Sequence, residues 1–218
     1  MLTTFLILVI FLFIARIVNT STVQSVKRLF NVEELFEEVA SISDVDFTAA
    51  VSHVSEWAAD NDFQSEAFFL LHTSHSGIPA KCIGWWSDEH KVYLLVYLVE
   101  EQGVRAVAID IVTRFAGGES LTTCNSINGL FLPKPKFDLI QFFRGKDLNE
   151  HLSVHLKSVK NIHKSNGLIV MSSEMDLYEL MRESIRGQAQ LIMELPFWKF
   201  RGVYWYFVKK YLLALVRY

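Results

Sequence analysis

The sequence predicts an α+β protein: an antiparallel meander of about five strands with packing helices, an N-terminal transmembrane helix and a C-terminal amphipathic interfacial helix. Three observations carry this. Val92–Val99 reads V-Y-L-L-V-Y-L-V, apolar at both parities, as expected of a strand covered on both faces. Between Glu66 and Cys124 strand-length runs succeed one another with only short polar or glycine turns between them, which favours local antiparallel pairing. Finally, 51% of the 218 residues are hydrophobic and the mean hydropathy is +0.24, an excess that gathers at the two ends and asks for a membrane explanation.

Leu2–Val18 is apolar apart from Thr3, Thr4 and Arg16. As a helix it is about 26 Å long, slightly short of a bilayer core of roughly 30 Å, and spans if Arg16 snorkels to the interface. A cleaved signal peptide would want basic residues before the apolar run and small residues after it. None precedes it and Ala15-Arg16-Ile17 is a poor cleavage site, so residues 1–20 read as a retained anchor. Arg16, Lys27 and Arg28 follow the run, which puts the rest of the chain in the cytoplasm by the positive-inside rule.

Residues 30–192 then form the α+β domain. Asn31-Val-Glu-Glu34 opens a brief helix with Leu35, Phe36 and Val39 as its apolar face. Ser43 or Asp44 caps a second, in which Phe47, Val51, Val54 and Ala58 recur at helical spacing up to Asp60-Asn61-Asp62. Strands follow at Glu66–His72, Lys81–Trp86, Val92–Val99, Arg105–Phe115 and Ser120–Cys124. Pro133 and Pro135 mark a loop. Asp147–His163 is a helix with Leu148, Leu152, Leu156, Val159 and Ile162 as its stripe, closed near Asn166-Gly167. Ser173–Ile185, capped by Ser172 or Ser173, is another.

From residue 195 the chain changes character. Tyr204, Phe207, Val208, Tyr211, Leu212 and Leu215 share one helical face, with Lys199, Lys209, Lys210 and Arg217 opposite. Lys209 and Lys210 interrupt any second span, so residues 195–218 read as a membrane-interfacial segment. Arg16, Lys199, Arg201, Trp205, Lys209 and Lys210 are the expected membrane-interface residues; the rival is a helix docked on the domain with its bases in water.

Formal net charge is −3, which argues for neither nucleic acid nor an acidic substrate. The five bases after residue 194 meet no acid there, leaving a net −8 on residues 1–194. Anionic lipid head groups are the simplest partner for such a tail. Cys82 and Cys124, far apart and in no metal-like spacing, read as free thiols, which favours a reducing compartment.

No catalytic, metal or cofactor set emerges. His151 and His155 lie four apart on one helix, but no third ligand is fixed by spacing and the stripe puts both at the edge of its buried face. His72 and His75, with Cys82 after them, read as a polar loop. Gly117-Gly118 sits between two strands, where a hairpin turn explains it better than a phosphate cradle. The best ligand-facing candidates are Asp110 and Arg114, on the small-residue face of their strand, with Thr123 and Asn125 on the next.

The block Arg114-Phe-Ala-Gly-Gly-Glu-Ser-Leu-Thr-Thr-Cys-Asn125, the Pro133/Pro135 loop, a helix with Leu148, Leu152 and His155, and the stretch Trp198–Tyr211 resemble a family of uncharacterised bacterial membrane-anchored proteins. The motif that best carries this is Leu121-Thr122-Thr123 followed by Asn125. The resemblance implies a bacterial source and a membrane-associated domain, and it supplies no activity. The expectation is therefore a single-pass inner-membrane protein whose cytoplasmic domain binds a partner or ligand. A membrane-bound hydrolase or lipid-modifying enzyme using Asp110 with His155 or His72 is the alternative.

Overall fold

In a computed structural model the protein is α+β, with a mixed seven-stranded sheet, packing helices and one N-terminal apolar helix. The structure describes residues 2–72, 78–101, 104–126, 132–143, 145, 147–172 and 175–209. The chain divides into two compact units. One comprises Glu33–Ile127 and Lys136–Glu183, the other Met1–Val32, Asn128–Pro135 and Ser184–Tyr218. In the second unit the N-terminal helix shares a core with Ile192, Trp198 and Trp205.

In the first unit the strands are β1 (Phe36–Val39), β2 (Phe63–Leu71), β3 (Ala80–Ser87), β4 (Val92–Glu101), β5 (Val104–Arg114), β6 (Ser120–Cys124) and β7 (Asp138–Phe142). They lie in chain order across the sheet. Neighbours from β1 to β6 are antiparallel, and β7 joins β6 in parallel. Two strands exceed the expectation. Phe36 and Val39, read as a helical face, instead pair with Leu71 and Phe68, and the Phe36 ring packs at 5.7 Å from Phe69. The expected brief helix is confined to α2 (Val32–Leu35), a single turn with too little stability of its own to extend against such pairing. β7 was hidden because parallel pairing is non-local: its partner lies across a crossover, which carries no hairpin signal.

The sheet has helices on both faces. On one, α3 (Val45–Asp60) and α4 (Leu148–Asn166) bury Phe47, Val51, Val54, Leu148 and Leu152 against Ile83, Trp85, Leu94, Val96 and Ile111. Asp44 caps α3 by accepting from the Phe47 amide at 2.7 Å. Asp147 caps α4 by accepting from Asn149 and Glu150 at 2.8 and 3.1 Å. Gly167 closes α4 in the left-handed conformation, φ 70°, which costs glycine nothing. Trp57 Nε1 donates to Asn149 Oδ1 at 2.9 Å, joining the two helices.

The first turns of α5 (Leu177–Glu194) cover the other face. A Cβ on Gly84 would run into Leu177, and a second branch, Leu95 Cδ2, would lie 2.9 Å away, so this glycine lets the helix approach the sheet. The Tyr93 hydroxyl donates to the Met175 carbonyl at 2.9 Å. Asp176 takes the capping role expected of Ser172 or Ser173, accepting from the Glu179 amide at 3.0 Å; Ser173 lies outside the described residues.

In the second unit, α1 (Leu2–Phe30) runs well past the apolar segment. Val26 packs with Ile192, Trp198 and Trp205, and with Val23, Leu132 and Leu195 around them. Residues beyond α5 form a 3₁₀ turn, Trp198–Phe200, and a π-helical stretch, Tyr204–Lys209, rather than one continuous helix. Lys210, Tyr211, Leu212, Leu215 and Arg217 lie outside the described residues.

Candidate functional site

The sheet divides the four ligand-facing candidates. Antiparallel partners share a face, and alternate residues take opposite faces. Asp110 pairs with Cys124 and Arg114 with Ser120, whereas Thr123 pairs with Ile111. Thr123 is therefore on the α3/α4 face, opposite Asp110 and Arg114. The Asn125 side chain is engaged at the strand end, where its Oδ1 accepts from the Ile109 amide at 2.8 Å. The pairing register thus puts Thr123 on a different face from Asp110 and Arg114.

On the α5 face Arg114 is sheltered, its side chain 13% exposed, and its guanidinium meets Glu183 at 3.4 Å. Its Nε is buried and finds no acceptor among the described residues. Trp86, Lys91, Tyr93 and Met171 complete a crevice around it, with the Trp86 and Tyr93 rings 4.6 Å apart. The crevice is too narrow to hold a water molecule. An anionic group reaching Arg114 has to displace Glu183 or the Met171 side chain.

On the α4 face Thr113, Thr123 and Gln141, from three adjacent strands, form a polar ladder under a helix that supplies His151, His155 and Ser158. His155 Nε2 lies 2.8 Å from Thr113 Oγ1, and its Nδ1 lies 2.6 Å from Thr123 Oγ1. The Gln141 amide donates to Thr123 Oγ1, and Ser158 donates to Gln141 Oε1 at 2.8 Å. Because Thr123 already accepts from Gln141, its own proton is free to point at Nδ1. His155 then carries its proton on Nε2 and donates it to Thr113. His151 Nε2 donates to the Thr123 carbonyl at 3.0 Å, and its ring stacks on Phe143 at 4.9 Å.

Thr113, Thr123 and His155 are fully buried. Burial, reinforced by the nearby His151, pushes the His155 pKa down to about 3. Burial likewise lowers that of His151, against the hydrogen bond to Thr123. Both imidazoles are neutral donors holding α4 in register on β5–β7. Both are almost wholly buried and hydrogen-bonded to the sheet, an arrangement that suits packing. The i, i+4 spacing of the histidines and the alternation in Leu121–Cys124 were the sequence signals of this ladder; Gln141 and Ser158 carried none.

Asp110 and His155 occupy opposite faces. His72 pairs with Glu37 at 3.1 Å beyond the end of β2, three strands from Asp110, or roughly 14 Å at about 4.8 Å per strand. His75 lies outside the described residues. Gly118 adopts φ 91° and donates to the Phe115 carbonyl at 3.0 Å, a turn between β5 and β6 with no helix after it. Among the described residues no three His, Cys, Asp or Glu side chains gather as a metal set. Cys82 and Cys124 are free and buried on β3 and β6, three strands apart and beyond disulfide reach.

At the membrane-directed end, Trp205, expected at the interface, is instead 2% exposed in the core formed with α1. Lys209 points to the Leu132 carbonyl at 3.5 Å, and burial, with Lys134 nearby, lowers its pKa. Lys199 lies 5.9 Å over the Trp198 ring. α1 is long and apolar enough to cross a membrane, and only 6% of its most apolar window is buried.

Comparison with protein-family models, curated proteins and solved structures gives no match.

Proposed function

We propose that this chain is a single-pass protein of the bacterial inner membrane whose α+β unit faces the cytoplasm and serves as a binding or accessory module. One observation carries the reading. Phe5, Leu6, Ile7, Phe11, Leu12 and Phe13 stand between 57% and 64% exposed around α1, and rings and branched chains presented on all sides suit lipid. A core helix would bury them. The helix also continues without a break through Val18 to Phe30, where a cleavable signal wants an extended small-residue site. Arg16, Lys27 and Arg28 supply the cytoplasmic charge bias.

The binding reading is preferred to the hydrolase reading because Asp110 meets neither His155 nor His72. Arg114 is the best-placed contact for an anionic ligand, since its Nε is buried and has no acceptor among the described residues. Reporters fused after Tyr218 test the topology. A signal from a reporter active only in the cytoplasm is expected; a signal from one active only in the periplasm overturns the orientation. Turnover of an ester, phosphate or peptide that is lost in Asp110→Asn would overturn the non-enzymatic part.

A further inference from the structure

We propose that the turns after α5 form an aromatic collar that inserts into the head-group boundary of the bilayer spanned by α1, its partner being an anionic lipid surface. The inference rests on the anchored reading above. It begins with two stripes on residues 197–207. Trp198, Gly202 and Trp205, at i, i+4 and i+7, face inward: the tryptophans are 9% and 2% exposed, and a Cβ on Gly202 would lie 2.9 Å from Asn19 Oδ1. Phe197, Phe200, Tyr204 and Phe207 face outward and are 80%, 74%, 51% and 56% exposed.

The docking site fixes the depth. Val203 donates to Asn19 Oδ1 at 3.4 Å, and Val26 joins the shared core. Asn19 directly follows Val18, the last residue of the apolar run. At about 1.5 Å per residue, the Asn19–Val26 segment covers roughly the first 12 Å beyond the hydrocarbon, which is the head-group layer. Four large rings left in water there would be an unexplained cost, whereas rings at this depth are characteristic of membrane interfaces. Lys199 and Arg201 lie among them, and residues 195–218 contain no acid, so the charge complements anionic lipid. The wedge therefore consists of phenylalanines and Tyr204, not of the tryptophans, which rivet it to α1.

The full chain, reconstituted in phosphatidylcholine/phosphatidylglycerol vesicles, tests this with single cysteines carrying a fluorophore. Phe200→Cys and Phe207→Cys replace exposed side chains, Glu89→Cys on the β3–β4 turn is the aqueous control, and the native cysteines are buried. Labels at 200 and 207 are expected to be quenched several-fold more by brominated lipid, and several-fold less by aqueous iodide, than the label at 89. In vesicles of phosphatidylcholine alone the lipid quenching is expected to fall. Iodide reaching 200 and 207 as freely as 89, in a chain that alkali does not strip from the vesicles, overturns the collar and leaves the anchor standing. Unchanged quenching in neutral vesicles overturns the anionic preference. A chain that alkali releases overturns the anchor, and the collar with it.

Discussion

The ladder beneath α4 and the surface of the turns after α5 invert the usual distribution of side chains. In the first, two histidines, two threonines and a glutamine are buried or largely so; in the second, three phenylalanines and a tyrosine stand in the open. The inversions differ in what resolves them. The ladder is closed, because each of its side chains bonds to a neighbouring strand or to α4, and its products are register and orientation. The aromatic surface is open, because its rings stand half or more exposed among the described residues, which is the distribution the proposed contact with lipid would use. Polarity in the core therefore reads as architecture here, and apolarity outside it is what the proposed lipid contact rests on.

Substitutions that reverse each case sharpen the contrast. The largest effect is expected from Trp205→Ala, which empties a fully packed site against α1. A loss of about 3–5 kcal/mol should appear as faster hydrogen exchange across Ser184–Lys209. His155→Leu comes next. It strands the Thr113 and Thr123 hydroxyls at a cost of about 2–4 kcal/mol, read as a lower urea midpoint, and adding Thr113→Val should return part of it by removing one stranded group.

The ladder also predicts a pH response. The folded-state pKa of His155 is about 3, below the unfolded value of about 6.5. As pH falls through 6.5 the unfolded chain takes up a proton that the folded chain refuses until about pH 3. Stability should therefore decline through that window by up to about 1.4 kcal/mol per pH unit, and His155→Leu should flatten that slope. A wild-type slope indistinguishable from that of the variant would break the argument. The smallest effect is expected from Phe207→Ser: within about 0.5 kcal/mol in folding stability, since the ring touches little protein. A large loss there would show the ring to be core after all.

Much of the first unit was legible in the sequence. Asp44, Asp147 and Gly167 mark helix ends because capping is local chemistry, and the antiparallel runs from β3 to β6 announce themselves by turns a few residues long. Its losses were all non-local. β1 and β7 are short and gain their stability from partners far along the chain. The faces of Asp110 and Thr123 depended on a register that a strand read alone does not carry. At the C-terminus, hydrophobic periodicity suggested an amphipathic helix, whereas Trp198–Lys209 forms a 3₁₀ turn and a π-helical stretch, and the periodicity did not say which stripe faces protein. Gly202 decides that, by admitting α1 on the side of Trp198 and Trp205.

The central claim is that α1 is retained in a membrane and carries the rest of the chain. Alkaline carbonate extraction of membranes from cells making the full chain, with N-terminal sequencing of the product, tests it most directly. The account predicts that the protein remains in the membrane pellet with residues 2–18 intact. Recovery in the supernatant, or a mature chain beginning after Val18, would contradict it.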